Sequence, residues 1–448
     1  MWSAGFDTLV EMFDYVRKWS QDREERGWWH SFELPDGRRI QGVCSVESLR
    51  DRIGRFPIPA DLTGKRVLDI GTWDGWFAFE MERRGADVVA IDDWDNPRFR
   101  EMHAMVNSRV DYRQFDVYDL SPESVGRFDI VLFMGVLYHL KHPLLALEKV
   151  CALTTGMAVV DSFILREEHR PGEQVDTRSI MEFYETTEFG GQTDNWVGPS
   201  LPCLLAFCRT AGFARVELQS VLDYGACVAC FRDWEVAEPG APAGPEVLAA
   251  FHSRDFGMNF RSDRDETVVA WIAWAGEPLT VNQVKPEAGG YGVRPIEVRM
   301  ERAGEMSVVF KLPPGLTPGI HDVRVRLPGS APGNARPIAI DMPVPDTSAR
   351  LFSACDGTTW APDQIDLSKG DTLTVWVDAL PPNADHNNVK LLLGNTPLRI
   401  SYVEPAAGEA RRQINVQVPL SVPAGETEVR LMDRPGLPVH VIHEKILT

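Results

Sequence analysis

The chain has 448 residues and a formal net charge of −19, with 44% hydrophobic and 25% charged residues. That length predicts two or three domains of ordinary globular composition, and no apolar run reaches the ~18 residues of a membrane span. Residues 1–275 hold 29 Lys and Arg against 45 Asp and Glu, and residues 276–448 hold 17 against 20; so acidic a balance weighs against a nucleic-acid partner.

The N-terminal stretch MWSAGFDTLVEMFDYVRKW lacks a basic start, an apolar core and a small-residue cleavage site. It reads as an amphipathic helix of the mature chain, with a cytoplasmic location. Pro35-Asp36-Gly37 is a turn signal between two strand-like pieces, which predicts a small hairpin. Residues 1–63 are then an N-terminal helix and a lid over the substrate. From about 64 to 236 strand and helix patterns alternate. Strands are expected at 66–71, 86–92, 110–117, 128–136, 156–165, 214–222 and 226–236, with helices at 75–84, 97–106, 143–154 and 200–211. Pro143 suits a first helical position. Such alternation predicts an α/β doubly wound, Rossmann-like sheet, with a short turn at 223–225 joining the last two of seven strands.

The seven cysteines are scattered and predict no disulfide framework; Cys227-Val-Ala-Cys230 lies in an apolar run and reads as two buried strand residues. Residues 236–246 resemble a linker, and 247–274 read as one more strand or two, which places the end of the α/β domain at 275. Beyond it, proline and glycine recur and strands alternate with period 2, as in 371–378 and 413–418, which predicts all-β immunoglobulin-like sandwiches. Val309–Gly319 with Asp322–Arg326 is echoed by Asn415–Gly425 with Glu428–Met432, an offset of 106 residues. Two tandem modules follow, 276–347 and 348–448.

Arg66-Val-Leu-Asp-Ile-Gly-Thr-Trp-Asp-Gly75 is a strand, a tight turn and a helix start. Gly71, Thr72, Trp73 and Gly75 form a loop that can lie under the amino-acid end of S-adenosylmethionine (SAM), with Asp69 closing the strand against its ammonium. Asp92 ends the next strand and can accept both ribose hydroxyls, with Asp93 as the fallback. Asp116 and Val117 follow the third strand, where an acid meets the adenine amino group and an apolar side chain its ring. Met134 and Gly135, at the end of the fourth strand, complete the cofactor set. The reading is a SAM-dependent methyltransferase with S-adenosylhomocysteine as product.

Met134-Gly-Val-Leu-Tyr-His139 followed by a Pro-Leu helix start, with Trp196-Val-Gly-Pro-Ser-Leu201 and Ala206–Phe213 further on, resembles the SAM-dependent methyltransferases related to bacterial tRNA wobble-uridine carboxymethyltransferase. The resemblance covers about residues 28–236. It departs where Trp73 stands in place of a glycine. It implies a carboxylate pocket for carboxy-SAM made of a tyrosine, which Tyr138 matches, with a lysine and an arginine elsewhere; the lysine has no match upstream, where Arg38-Arg39-Ile-Gln-Gly42 stands, and with half of the set missing ordinary SAM is favoured.

His139 is the leading general base, since imidazole titrates near neutrality and lies at the carboxyl end of a central strand. Trp28, Trp29 and His30 in the hairpin region, Trp196 in the loop 190–199, and Tyr184 are candidate substrate contacts, because tryptophan stacks on sugars and attracts the sulfonium. No ligand set at metal spacing is present, so no metal is expected. The favoured acceptor is a hydroxyl of a small molecule or sugar. Alternatives are a tRNA wobble uridine, gripped by Arg50, Arg52, Arg55, Lys65 and Arg66, or a scaffold with a silent core. The β modules are expected to serve oligomerisation or substrate presentation.

Overall fold

The computed structural model describes residues 27–222, 225–254, 256–342, 348–406, 410–432 and 434–443. The expected N-terminal helix, and Asp223 and Tyr224 of the expected turn, lie outside the described residues. The chain divides into two compact units, Met1–Trp234 and Glu235–Thr448.

The first unit opens with the hairpin β1 (Phe32–Glu33) and β2 (Arg39–Ile40), turned at Gly37 with φ 84°. Helix α1 (Val46–Gly54) follows, capped by Ser45 Oγ, which accepts from Ser48 N–H at 3.1 Å. The alternating core runs β3 (Arg66–Ile70), α2 (Trp76–Arg83), β4 (Asp87–Asp92), α3 (Pro97–Met105), β5 (Asp111–Gln114), β6 (Phe128–Met134), α4 (Pro143–Leu153) and β7 (Thr154–Phe163). A small pair, β8 (Met181–Phe183) with β9 (Val197–Pro199), leads to α5 (Leu201–Thr210), β10 (Arg215–Val221) and β11 (Gly225–Phe231).

These strands form one seven-stranded sheet in the order β10-β11-β7-β6-β3-β4-β5. Its middle strands are apolar without interruption because both faces are covered. Val67, Val88, Ile130, Leu132 and Val159 point to the side of α1, α2 and α3. Leu68, Val89, Val131, Phe133 and Val160 point to α4 and α5. The final strand does not sit at the edge. β11 is inserted between β7 and β10 and runs antiparallel to both. Its residues suit that place: six of seven are buried, whereas β10 is partly exposed along its length. Cys227 and Cys230 are buried there, and all seven cysteines are free.

The second unit corrects the expected boundaries. Strands β12 (Val247–His252) and β14 (Thr267–Ala273), assigned above to the α/β domain ending at 275, pair with each other and with β18 (Glu305–Lys311). The unit break falls before the linker-like 236–246 because the apolar faces of β12 and β14 belong to the second unit's core, where Val268 and Ile272 cluster with Val323, Val325 and Ile338. With β13 (Asn259–Phe260), β15 (Lys285–Ala288), β16 (Tyr291–Gly292), β17 (Pro295–Arg302), β19 (Gly319–Arg326) and β20 (Arg336–Ile340), the sheets are β12-β14-β18-β17 and β13-β20-β19-β15-β16.

A second pair of sheets repeats this order strand for strand. It comprises β21 (Arg350–Asp356), β22 (Gln364–Asp366), β23 (Thr372–Asp378), β24 (Leu391–Leu393), β25 (Thr396–Pro397), β26 (Arg399–Val403), β27 (Arg411–Gln417), β28 (Gly425–Leu431) and β29 (Leu437–Ile442). Its sheets are β21-β23-β27-β26 and β22-β29-β28-β24-β25. The sequence echo at offset 106 is therefore β18-β19 recurring as β27-β28.

Phe128 is 1% exposed and carries the Arg66 guanidinium 4.5 Å above its ring. Phe128→Ala is expected to remove about 3–5 kcal/mol from the first unit. Hydrogen exchange of the β6 amides reads this directly; unchanged protection there would refute its place in the core.

Candidate functional site

The site lies at the carboxyl ends of β3, β4, β6 and β7. The β3–α2 loop is held by backbone and carboxylate together. Gly71 (φ 69°) and Thr72 donate their N–H groups to the carbonyl of Ile91 at 2.9 and 3.1 Å. Gly75 (φ 94°) adopts the left-handed conformation that starts α2. A Cβ on Gly71 would come 2.4 Å from Val136 Cγ2, so the β3 and β6 ends approach closely enough to need glycine. Trp73 also has positive φ, 54°, where a bulky side chain is strained.

Three buried acids surround this loop. Asp69 accepts from Thr72 Oγ1 at 2.7 Å. Asp92 Oδ2 accepts from Trp73 N–H at 2.9 Å and its Oδ1 from Trp94 N–H at 3.4 Å. Each Asp92 oxygen keeps lone-pair capacity, so the residue can still accept ribose hydroxyls. The third acid, Asp74, was not singled out in the sequence. It is wholly buried, and its Oδ2 accepts from Trp29 N–H at 2.8 Å and His30 N–H at 3.0 Å, while its Oδ1 pairs with His30 Nδ1. A single acid inside a cofactor-type loop carries no signal that it clasps a segment 44 residues upstream.

That clasp changes the reading of the hairpin residues. His30 is buried, with its ring edge-on to Phe77 at 5.5 Å, and is a structural partner of Asp74 and not an open substrate contact. Trp28 and Trp29 are half-buried and pack against the core, with Arg98 5.5 Å over the Trp28 ring. The outer positions of the cofactor set divide. Asp93 is exposed, with its carbonyl accepting from Gln114 Nε2 at 2.9 Å. Asp116 is exposed and accepts from Tyr118 N–H at 2.9 Å, which fixes the turn that buries Val117. Met134 is buried, and Gly135 (φ 77°) donates to the Asp161 carbonyl at 2.8 Å.

The second half of the site is built over Tyr138 and His139. His139 Nδ1 lies 2.9 Å from the Asp194 carbonyl, so that nitrogen carries the proton and Nε2 is the basic one in the neutral ring. Trp196 N–H donates to the Tyr138 carbonyl at 2.8 Å, which seats the loop 190–199 on the end of β6. Lys141 Nζ stands 4.0 Å from the Trp196 ring centre. Tyr184 is buried under this loop, 5.4 Å from Phe189 in a stacked pair, and burial pushes its hydroxyl pKa up. It supports the loop 190–199 instead of lining an opening.

Arg52, placed above on a surface, reaches inward from α1. Its Nε donates to Asp161 Oδ2 at 3.0 Å, and Asp161 is 1% exposed. A Cβ on Gly135 would sit 3.7 Å from both the Arg52 guanidinium and Tyr138 Oη. An arginine therefore does stand beside the tyrosine of the family motif, already paired with an acid. Burial pushes the Tyr138 hydroxyl up to about 12.

Residues 38–176 match the family model of a methyltransferase domain. Over 168 residues the chain is 34% identical to the tRNA U34 carboxymethyltransferase of Pseudomonas syringae pv. tomato, covering 36% of this chain and 49% of that one. Over 85 residues it is 40% identical to the ubiquinone biosynthesis O-methyltransferase of Acinetobacter baylyi, covering 18% and 36%. Among solved structures, the N-terminal domain of EvdMO1, in the presence of S-adenosylhomocysteine and D-fucose, aligns at 20% identity over 51% of this chain and 97% of that one, with a TM-score of 0.34. The first unit thus carries a class I methyltransferase domain. Within that class it is related to the tRNA U34 carboxymethyltransferases, of whose length the chain spans about half. The expectation against nucleic acid, drawn from net charge, is not sustained, because relatives of this kind are named for a tRNA.

Among the described residues no group of three or more His, Cys, Asp or Glu is arranged to hold a metal, and no helix is long and apolar enough to cross a membrane.

Burial raises the Asp92 carboxyl from 3.8 to about 7, with Asp93 adding to the shift, and raises Asp69 to about 6. The native state then binds more protons than the unfolded chain between 3.8 and about 7, so these groups make stability fall as pH rises through that window. The slope from one group is at most about 1.4 kcal/mol per pH unit. Asp92→Asn is expected to flatten it, measured as urea midpoints of the first unit from about pH 5 to about pH 7. An unchanged slope would mean that Asp92 is ionised throughout.

Proposed function

We propose that the first unit transfers a methyl group from SAM to a hydroxyl of a small molecule or sugar. The observation that carries the cofactor half is the loop 71–75 with buried Asp69 and Asp92 at the ends of adjacent parallel strands, the place where such sheets receive nucleotide-type ligands. Asp92 would take the ribose hydroxyls, Asp69 and the loop backbone the amino-acid end, and Val117 the adenine ring. SAM supplies an electrophilic methyl on a sulfonium. The chain's own residues orient the acceptor, exclude water and take its proton, which falls to His139 Nε2 with Nδ1 held by the lid.

The acceptor reading is supported by what became of the cations proposed for tRNA. Arg50 pairs with Glu33 at 2.8 Å, Arg55 with Asp51 at 2.6 Å and Lys65 with Asp129 at 2.9 Å, while Arg52 is bound to Asp161 and Arg66 lies 3.5 Å from Asp87. Cations already neutralised by carboxylates release few phosphate counterions. A tRNA acceptor is the second reading, favoured by the names of the relatives. For the β modules we infer an immunoglobulin-like fold. Its support is a strand order of 1-3-7-6 facing 2-9-8-4-5, with the second strand parallel to the ninth.

Asp92→Ala is expected to abolish SAM binding in isothermal titration; wild-type affinity would remove the ribose assignment. His139→Gln should leave SAM affinity intact and lower kcat by about 10²–10⁴. S-adenosylhomocysteine release with fractionated extract decides the acceptor: turnover that survives RNase supports the small-molecule reading, and turnover lost with RNase installs tRNA.

A further inference from the structure

A cleft of about 1190 Å³ opens within the second unit, between the β12–β13 turn and the outer face of β26 and β27. Three exposed cations line it: Arg254 from the turn, Lys390 before β24, and Arg399 at the start of β26. None of them makes an ion pair among the described residues. Elsewhere in this unit arginines and lysines are commonly neutralised, as in Arg261–Asp263, Lys285–Glu235, Arg324–Asp322 and Arg411–Asp378. Among the described residues no Asp or Glu lines the cleft. Three cations with no ion-pair partner among the described residues, on a chain of net charge −19, make a local potential that suits an anion.

The neutral lining narrows the ligand. Phe256 is 42% exposed and has φ 60°, a left-handed conformation that a bulky residue rarely adopts, and its ring lines the cleft. It meets Tyr402 edge-on at 5.8 Å. On the sheet, Arg399 lies opposite Gln417 and Tyr402 opposite Asn415, so cation, ring and amides share one face. Its sequence signature is the polar half of Gln413-Ile-Asn-Val-Gln417, whose alternate residues Ile414 and Val416 are fully buried. Asn415 Oδ1 already accepts from Thr374 Oγ1 at 3.0 Å and Gln413 Nε2 at 2.8 Å, so Asn415 offers its amide N–H and Gln417 both donates and accepts; that mixture matches vicinal hydroxyls, whereas a bare phosphate would use donors alone. Aromatic rings offer an apolar surface to a sugar ring.

We propose that this cleft binds an anionic saccharide, a sugar bearing a carboxylate or phosphate, with its ring against Phe256 and Tyr402, its hydroxyls on Asn415 and Gln417, and its charge between Lys390, Arg399 and Arg254. The proposal is independent of the methyl-transfer reading.

Saturation-transfer NMR and isothermal titration on the full chain test it, with tetragalacturonate and glucose 6-phosphate as the charged probes and cellotetraose as the neutral one. The expected result is binding of at least one charged probe about tenfold tighter than the neutral one, weakened by salt. Which charged probe wins tells carboxylate from phosphate. The double variant Lys390→Gln/Arg399→Gln, at exposed positions that leave folding intact, should lose about tenfold, and Tyr402→Ala a similar factor. Equal affinity for charged and neutral sugars, wild-type affinity in the double variant, or no binding of any probe would overturn it. So would a single-stranded oligonucleotide that displaces the bound probe at lower concentration than free sugar, which would make the cleft a nucleic-acid site.

Discussion

Buried carboxylates accepting backbone N–H groups are the constraint on which the first unit depends. Asp92 takes the N–H of Trp73, and Asp74 takes those of Trp29 and His30. A carboxylate stripped of water needs such donors, and peptide groups of a tight loop need acceptors. Each satisfies the other, so the β3–α2 loop, the end of β4 and the N-terminal segment form one hydrogen-bonded body. The ligand-facing surface is then set before any ligand arrives, the condition under which polar contacts favour binding most.

The second unit depends on a different bond set. Asn259 N–H of the first β module donates to Asp385 Oδ2 of the second at 2.6 Å, and Arg412, 2% exposed, donates to the carbonyls of Glu404, Pro381 and Ala384 and lies against Met258 Sδ. A buried guanidinium that spends its donors on carbonyls ties the junction to the second module's own loops. Repeated modules commonly meet through such small polar contacts. Here they hold the β12–β13 turn against β26, and that placement creates the cleft.

Much of this was legible in the sequence, for physical reasons. Strands buried on both faces write continuous apolar runs, so the α/β core could be read from 66–71, 86–92 and 128–136. The glycines of the β3–α2 loop announced themselves because left-handed backbone disfavours most other residues. The β modules showed in their period-2 pattern and in the repeat. What stayed hidden was long-range. Nothing local says that β11 inserts inside the sheet, that Arg52 turns inward to Asp161, or that Asp74 binds a histidine 44 residues away. The boundary at 275 failed because β12 and β14 are as apolar as the strands before them; only their pairing with β18 assigns them. The cleft was invisible because its cations come from three separate elements.

Trp73 has one consequence for how this chain can vary. A tryptophan held at φ 54° costs about 1–2 kcal/mol that glycine would not, and its ring lies 5.7 Å from that of Trp94 beside the loop. Replacement by glycine would relax the backbone and lose the ring contact with Trp94; retention keeps both the contact and the strain. Backbone ease and side-chain packing therefore pull this one position in opposite directions.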